Sequence, residues 1–408
     1  MKQQFATPHQ NSYDVVIVGG AIYGSSIAWW LTNNEDFDGT ILVVERDPSY
    51  EFCSTTHTNS CMRQQFSAEI NIRISQFAAE FVRNFREALG GDERIPDIPI
   101  QSYGYLYLAD TPEFAAHLKE SQAIQSRLGA GTRHMSRDQI TAEYPFYQLD
   151  DIIAGNHNPV NEGYFDGNSL FDWWKRLARE KGAEYCTNEV VGMELDDDRS
   201  TVNAVTLATG ERISCGTVIN CSGPRAVLTS RMAGIEIPVE PRKRYTYIFD
   251  AEKPLEKDLP LTIDPSGVHV RSDGRYYLAG CPPSITGEGD PAVGYDDFNA
   301  DHSLWENHVW PLIATRIPQF EAIKLTNMWV GHYAYNTLDQ NAIIGPHPEV
   351  RNFIFANGFS GHGLQQSPAM GRGVSELIAY GEYRSLDLSP FSWDRIVENR
   401  PIFETAVI

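Results

Sequence analysis

The stretch Tyr13-Asp14-Val15-Val16-Ile17-Val18-Gly19-Gly20-Ala21-Ile22-Tyr23-Gly24 decides the fold of this chain. Its first half is a β-branched run, the composition of a buried strand, and it ends in two glycines. A helix follows over 22–31, apolar on several sides. Then comes a second buried strand, Ile41-Leu42-Val43-Val44, closed by Glu45-Arg46-Asp47. Strand, short crossover helix and strand form the unit from which parallel sheets are built. The turn after the first strand of such a unit binds phosphate. Gly19 permits the tight turn, the helix N-terminus attracts a pyrophosphate, and Gly24 lets the helix lie close on the sheet. Ala21 departs from the pattern, which has a glycine there; its methyl costs some closeness to the pyrophosphate without abolishing binding. Glu45 ends the second strand where a carboxylate accepts hydrogen bonds from a ribose. The segment reads as a dinucleotide site.

Outward from it, residues 53–63 are rich in Ser, Thr and Asn and read as a loop. The spacing of Ile70, Ile74, Phe77, Ala78, Phe81 and Phe85 predicts a helix over 69–89 with one buried face. Beyond Gly90-Gly91 the pattern changes: 102–108 is strand-like, 114–128 helical, and a helix runs from 167 to 181. Short strands follow at 185–194, 202–207, 217–220, 245–249, 268–271 and 276–279, a density that predicts an antiparallel sheet in a second domain. The chain returns to an α/β pattern with a strand at 353–356, a glycine-rich turn and a helix through 379.

At 408 residues the chain is long enough for two or three domains of roughly 100–200 residues each. A net charge of −21 repels phosphate backbones and anionic lipid, so neither nucleic acid nor a membrane surface is an expected partner. An anionic substrate gains nothing from that field and needs a local cation. The first eleven residues are polar, with no apolar core of a signal peptide, and no apolar run has the length of a bilayer span. A cytoplasmic protein with reduced thiols is the expectation. None of the six cysteines (Cys53, Cys61, Cys186, Cys215, Cys221, Cys281) forms a C-x-x-C pair, so no metal is expected.

Two features point to flavin. No second glycine fingerprint follows a strand, as a flavoenzyme reduced by NAD(P)H would often carry, so electrons come directly from an organic substrate. Gly358-Phe359-Ser360-Gly361-His362-Gly363 feeds a helix containing Gly371 and Gly373. That turn is either a plain connection or a means of aiming backbone N–H groups at negative charge, which reduced flavin carries near N1 and O2.

With these motifs the chain resembles the D-amino-acid-oxidase-type FAD oxidoreductases, which include sarcosine oxidase, glycine oxidase and dimethylglycine dehydrogenase. The likeness covers the N-terminal fingerprint, residues 163–223, Asn336-Thr337-Leu338-Asp339-Gln340-Asn341-Ala342-Ile343-Ile344-Gly345 and the 358–363 turn. From Gly363-Leu364-Gln365-Gln366-Ser367-Pro368 to Asp387-Leu388-Ser389-Pro390-Phe391 it is closest to the subgroup containing a mitochondrial FAD-dependent oxidoreductase-domain protein linked to complex I assembly. The resemblance implies an α/β fold. A Rossmann-like FAD-binding domain of glutathione-reductase type is assembled from 12–90, 155–230 and 335–385. A second, α+β domain from 91–154 and 231–334 is built on a mixed, largely antiparallel sheet, and 386–408 is a tail packed on the body.

The same resemblance implies cofactor contacts at Gly19, Ala21, Ile22, Gly24, Glu45, Arg46, Thr55, His57 and Asn59. Others fall at Val190, which reads equally as a plain core residue, and at Gly223. The C-terminal turn supplies Gly358, Ser360, Gly361, His362, Gly363 and Leu364. Members with covalent flavin use a cysteine just before the Asn-Thr-x-Asp motif, where this chain has Gly331-His332-Tyr333-Ala334-Tyr335. Others use an N-terminal loop histidine, where His57 precedes an unmatched Thr58-Asn59-Ser60. Non-covalent FAD is expected, with His57 or His332 as the alternative points of attachment.

The family oxidises C–N bonds: a neutral amine lies over the flavin, hydride leaves the α-carbon for N5, and the imine hydrolyses. The implied substrate is a secondary amine or N-substituted amino acid; the alternatives are a primary D-amino acid, or a non-enzymatic assembly or interaction role. Arg63, in Cys61-Met62-Arg63-Gln64-Gln65, falls where sarcosine oxidases hold the substrate carboxylate; otherwise it is a salt-bridge residue. His269, Tyr276 and Tyr335 are further catalytic candidates, although a strand histidine between Val268 and Val270 is commonly just packed. Two sarcosine-oxidase lysines are replaced, one by the run Leu364-Gln365-Gln366 and the oxygen-activating one by Ala292, so electrons pass to oxygen or to another acceptor.

Overall fold

The computed structural model describes residues 4–287 and 289–404. The β-branched run forms the strand Ser12–Val18, central in an eight-stranded sheet. Ile41–Glu45 and Arg212–Asn220 flank it in parallel. Glu184–Thr187 and Phe353–Asn357 extend the sheet in parallel on either side, and Ile343–Pro346 closes one edge antiparallel. The stretch 185–194, expected as one strand, is two. Asn188 turns the chain, its amide donating to the Ala6 carbonyl at 2.8 Å while its Oδ1 accepts from Glu189 N at 2.8 Å. The second half, Val190–Leu195, joins a hairpin with Val202–Leu207.

The helix Ile22–Thr32 packs against both Gly167–Glu180 and Gly363–Tyr380, with Trp29 and Trp174 fully buried where it meets Gly167–Glu180. Small residues allow this approach. A Cβ on Gly371 would fall 2.0 Å from Ser26 Oγ, which instead donates to the Ser367 carbonyl at 2.9 Å.

The second sheet also has eight strands. Its order is Ile323–Asn336, Val239–Ala251, Tyr276–Cys281, His269–Asp273, Leu261–Ile263, Tyr105–Ala109, Ala154–Asn158 and Arg133–Ser136. Every neighbouring pair is antiparallel except Leu261–Ile263 with Tyr105–Ala109. The boundary drawn at 154/155 needs correction: it cuts Ala154–Asn158, whose partners on both sides belong to this sheet.

The helix expected over 69–89 breaks at Asn84, whose φ of −108° and ψ of 30° leave the helical region, giving Glu69–Arg83 and then Phe85–Ala88. Its first turn has no side-chain cap of its own. Glu404 supplies one, its carboxylate accepting from Ser67 N at 2.6 Å, Ala68 N at 3.2 Å and Asn71 Nδ2 at 2.7 Å. The same C-terminal segment buries Arg395 against Asp339, and Ile402 N donates to Asp339 Oδ2 at 2.8 Å. Among the described residues no helix is long and apolar enough to cross a membrane.

Candidate active site

One cleft runs between the two sheets, from the turn after the first strand to the face of the second sheet. Gly19 has φ +100°, and a Cβ there would fall 2.5 Å from the Cys221 carbonyl; only glycine lets the two strand ends meet. The helix that follows has no cap from its own Ala21; Ile22 N donates to Thr55 Oγ1 at 3.3 Å, and the first turn borders the cleft where an anion would meet its N–H groups. Glu45 lines the cleft and accepts from Gly20 N and Asp47 N, each at 2.8 Å. Burial raises its pKa, and those two N–H donors oppose the rise. Two donors use half of a carboxylate's acceptor capacity and leave positions for a ribose. Gly223, φ +56°, faces open space, with no atom within 4 Å of where a Cβ would stand.

The glycine turn 358–363 forms the opposite wall. Ser360, at φ +47°, is held there by donating N–H to the Ala334 carbonyl at 3.0 Å and by accepting at Oγ from Asn336 N at 2.9 Å. Tyr23 stacks on Phe359, ring centroids 3.7 Å apart, and its hydroxyl donates to the Gly363 carbonyl at 2.9 Å. The space beside Gly361 is filled by the ring of Tyr333.

Arg63 also lines the cleft but is almost wholly buried. Its Nη1 donates to the Gln65 carbonyl at 3.0 Å and to the Tyr107 hydroxyl, and its Nη2 to His362 Nε2 at 3.0 Å. The guanidinium carbon stands 4.2 Å from the Phe66 ring centroid. Burial, with Arg63 alongside, holds His362 far below its ordinary pKa and therefore neutral. Arg63, expected as the anchor of a substrate carboxylate or else as a salt-bridge residue, is thus buried at the cleft and hydrogen-bonded to protein partners. Behind it Glu162, fully buried, accepts from Gln64 N at 2.5 Å, Gln65 Nε2 at 3.0 Å and Asn158 Nδ2 at 2.9 Å.

On the second sheet His269 forms part of the cleft floor. A Cβ on Gly280 would lie 2.3 Å from its Nε2, so the imidazole occupies room that glycine leaves. Asn59 Nδ2 donates to His269 Nε2 at 3.0 Å, and Asn59 Oδ1 accepts from Thr246 Oγ1 at 3.2 Å. Burial, then the charges of Arg244 and Arg271, push the imidazole down to about 4, so it is neutral near pH 7.

The cleft gathers most of the expected site: Ala21, Ile22, Arg46, Thr55, His57, Asn59, Val190, Ser360, His362, Gly363 and Leu364 line it with the residues above. Four of the expected residues do not line it. Tyr276 starts its strand at the hairpin tip, beside Arg275 and opposite Asp273, away from the cleft. Tyr335 lies further along its strand than Tyr333, its ring centroid 3.8 Å from the guanidinium carbon of Arg242. Gly24 takes the helix–sheet packing role read from its spacing rather than a cofactor contact: a Cβ there would stand 2.0 Å from the Gly19 carbonyl oxygen. Gly358 backs the turn against Asn336 and Val239. Tyr105, Asn188, Arg225, Thr246, Tyr295, Asp296, Phe298 and Tyr333 line the cleft without having been expected. Only the strand-breaking Asn188 carried a local signal.

A glycine cradle at a helix start, a carboxylate with acceptor positions to spare and an open Gly223 suit an extended dinucleotide. Residues 14–377 match the family described as FAD dependent oxidoreductase. The chain belongs to this family. FAD-dependent oxidoreductase domain-containing protein 1 of Xenopus laevis is 37% identical to it over 97% of this chain and 85% of the relative. Mitochondrial sarcosine dehydrogenase of Mus musculus is 23% identical over 92% of this chain and 40% of the relative. The crystal structure of L-proline dehydrogenase from P. horikoshii superposes with a TM-score of 0.82 at 25% identity, covering 96% of this chain and 100% of that one. This FAD dependent oxidoreductase is of the amino-acid and amine oxidase type.

Proposed function

We propose that the protein oxidises the C–N bond of a secondary amine or N-substituted amino acid, and that the imine product is then hydrolysed. Bound FAD supplies the hydride acceptor, at N5. The observation that carries this reading is the neutral, hydrogen-bonding floor of the cleft, His269 with Asn59 and Thr246, set among the cations Arg63 and Arg244. An amine is oxidised only with its lone pair free. Nearby cations disfavour a second positive charge on the substrate nitrogen and favour a carboxylate beside it. The hydroxyl of Thr246 and the rings of Tyr105 and Tyr333 position the substrate, and Leu261 keeps water from the reacting carbon. Two relatives support the substrate class, since proline and sarcosine are both secondary amino acids. Non-covalent FAD is supported by the absence of a cysteine from Gly331-His332-Tyr333-Ala334-Tyr335, the stretch before the Asn-Thr-x-Asp motif.

The test is anaerobic mixing of the holoenzyme with sarcosine, other N-methyl amino acids, L-proline, glycine and D-alanine, following the oxidised flavin band. Bleaching by the N-substituted compounds and not by the primary ones is expected. Bleaching by primary amino acids alone, or by none of the panel, would overturn the proposal.

A further inference from the structure

Residues 293–299 cross the mouth of the cleft from the second sheet to the flavin-binding side. Their base is fixed on the second sheet. Val293 N donates to the Pro241 carbonyl at 2.9 Å, and Lys243 Nζ reaches Asp297 Oδ1 at 2.7 Å and the Asn299 carbonyl at 3.2 Å. Phe298 stacks on His332 with centroids 4.1 Å apart, and His332 Nε2 donates to the Asp297 carbonyl. The tip reaches the other side. Asp296 Oδ1 lies 2.5 Å from Arg225 Nη2 and 3.8 Å from Arg46 Nη2, and Arg225 stands 5.5 Å from the Tyr295 ring centroid. Arg225 follows Cys221, the residue whose carbonyl packs on Gly19, and Arg46 follows Glu45, so the tip lands beside the dinucleotide cradle. Tyr295, Asp296 and Phe298 all line the cleft.

We propose that residues 293–299 form a strap closing over the cofactor, with the Asp296–Arg225 ion pair as its latch. The proposal rests on the cleft being the FAD site. The base is held by several contacts and by ring stacking. The tip is held chiefly by an ion pair whose carboxylate is 78% exposed. An exposed pair is weak and screened by salt, so the tip is where the strap opens. The latch joins protein to protein. Weakening it therefore lowers the barrier for FAD to leave and to enter alike, and shifts the affinity little.

The experiment follows exchange of bound FAD in the holoenzyme against excess 8-chloro-FAD, with Kd taken from flavin fluorescence on dilution. Asp296→Asn is expected to speed release by about two- to fivefold, the scale of one exposed ion pair, with Kd changed less than about twofold. Salt should accelerate release from the unaltered protein more than from the variant. Lys243→Met, which loosens the base, should act in the same direction. An unchanged release rate in Asp296→Asn would overturn the strap. So would a rise in Kd that matches the faster release, since the carboxylate would then be acting on the cofactor itself. Anaerobic bleaching reports on the substrate proposal independently of these rates.

Discussion

The ring of Tyr333 occupies the place of the side chain that Gly361 lacks: a Cβ at Gly361 would fall 2.4 Å from Tyr333 Cζ. This contact presses the second sheet against the glycine turn of the flavin domain. Gly361 also has φ +94°, where any L-residue is strained.

Gly361→Ala should therefore push Tyr333 aside and distort the turn. Strain of about 1–3 kcal/mol predicts FAD binding weaker by roughly five- to 150-fold. Adding Tyr333→Ala should recover part of the loss by removing the clash but not the backbone strain. Fluorescence titration gives the affinities; a single variant binding FAD like the unaltered protein would show that the turn tolerates a side chain.

Arg63→Ala should damage both catalysis and the holoenzyme. The guanidinium serves the Gln65 carbonyl, Tyr107 and His362, and a buried partner left unmatched costs about 1–3 kcal/mol. A loss of roughly two to three decades in kcat/KM should accompany lower FAD content and a lower Tm. Arg63→Lys should restore the charge and only part of the bonding. Steady-state kinetics normalised to bound flavin, with thermal melts, separate the two losses. Full stability in Arg63→Ala would show that its protein contacts contribute nothing.

Burial pushes the Glu162 carboxyl up to about 7, outweighing the three N–H donors that favour its anion. A carboxyl raised above its unfolded value near 4.5 stabilises the fold below that pH, and the contribution disappears as pH rises toward 7. Roughly 3 kcal/mol should be lost across that window, and Glu162→Gln should flatten this part of the stability profile. Urea unfolding at a series of pH values measures it. An unchanged slope in Glu162→Gln would assign the dependence to other groups.

Arg395 and Asp339 form an ion pair with side chains 2% and 0% exposed. Arg395→Met should destabilise by about 3–5 kcal/mol, because it leaves Asp339 buried without its counter-charge. Adding Asp339→Asn should recover part of that. Chemical denaturation of both variants decides, and equal stability of Arg395→Met and the parent would refute the buried-charge argument.

Residues that act through local geometry were legible in the sequence. Gly19 and Glu45 lie on one strand–turn–helix–strand unit, so spacing alone brings them together. Ala154–Asn158 was not: its sequence Ala-Gly-Asn-His-Asn holds no β-branched residue, yet all five are buried, their polar groups bonded inside the protein. Thr246, Tyr333 and Asp296 come to the cleft from separate places in the second half of the chain, and nothing local marks a residue whose partner is distant in sequence: Thr246 meets Asn59 from 187 positions away and Asp296 meets Arg225 from 71. Tyr276 and Tyr335 show the converse limit. Strand alternation tells which face a side chain takes, but not how far along the sheet the cleft extends.

The cap that Glu404 places on the helix Glu69–Arg83 has a consequence for synthesis on the ribosome. The parallel sheet joins Ser12–Val18 to Arg212–Asn220 and then to Phe353–Asn357, so its middle stays open until late in translation. The helix leading away from Arg63 emerges early, yet its start is satisfied only when Glu404 arrives. During that interval the nascent chain exposes an unfinished sheet edge and a bare helix end, the surfaces on which chains aggregate and chaperones bind. Nascent chains stalled before and after Phe353–Asn357 should therefore differ sharply in chaperone occupancy and in resistance to protease.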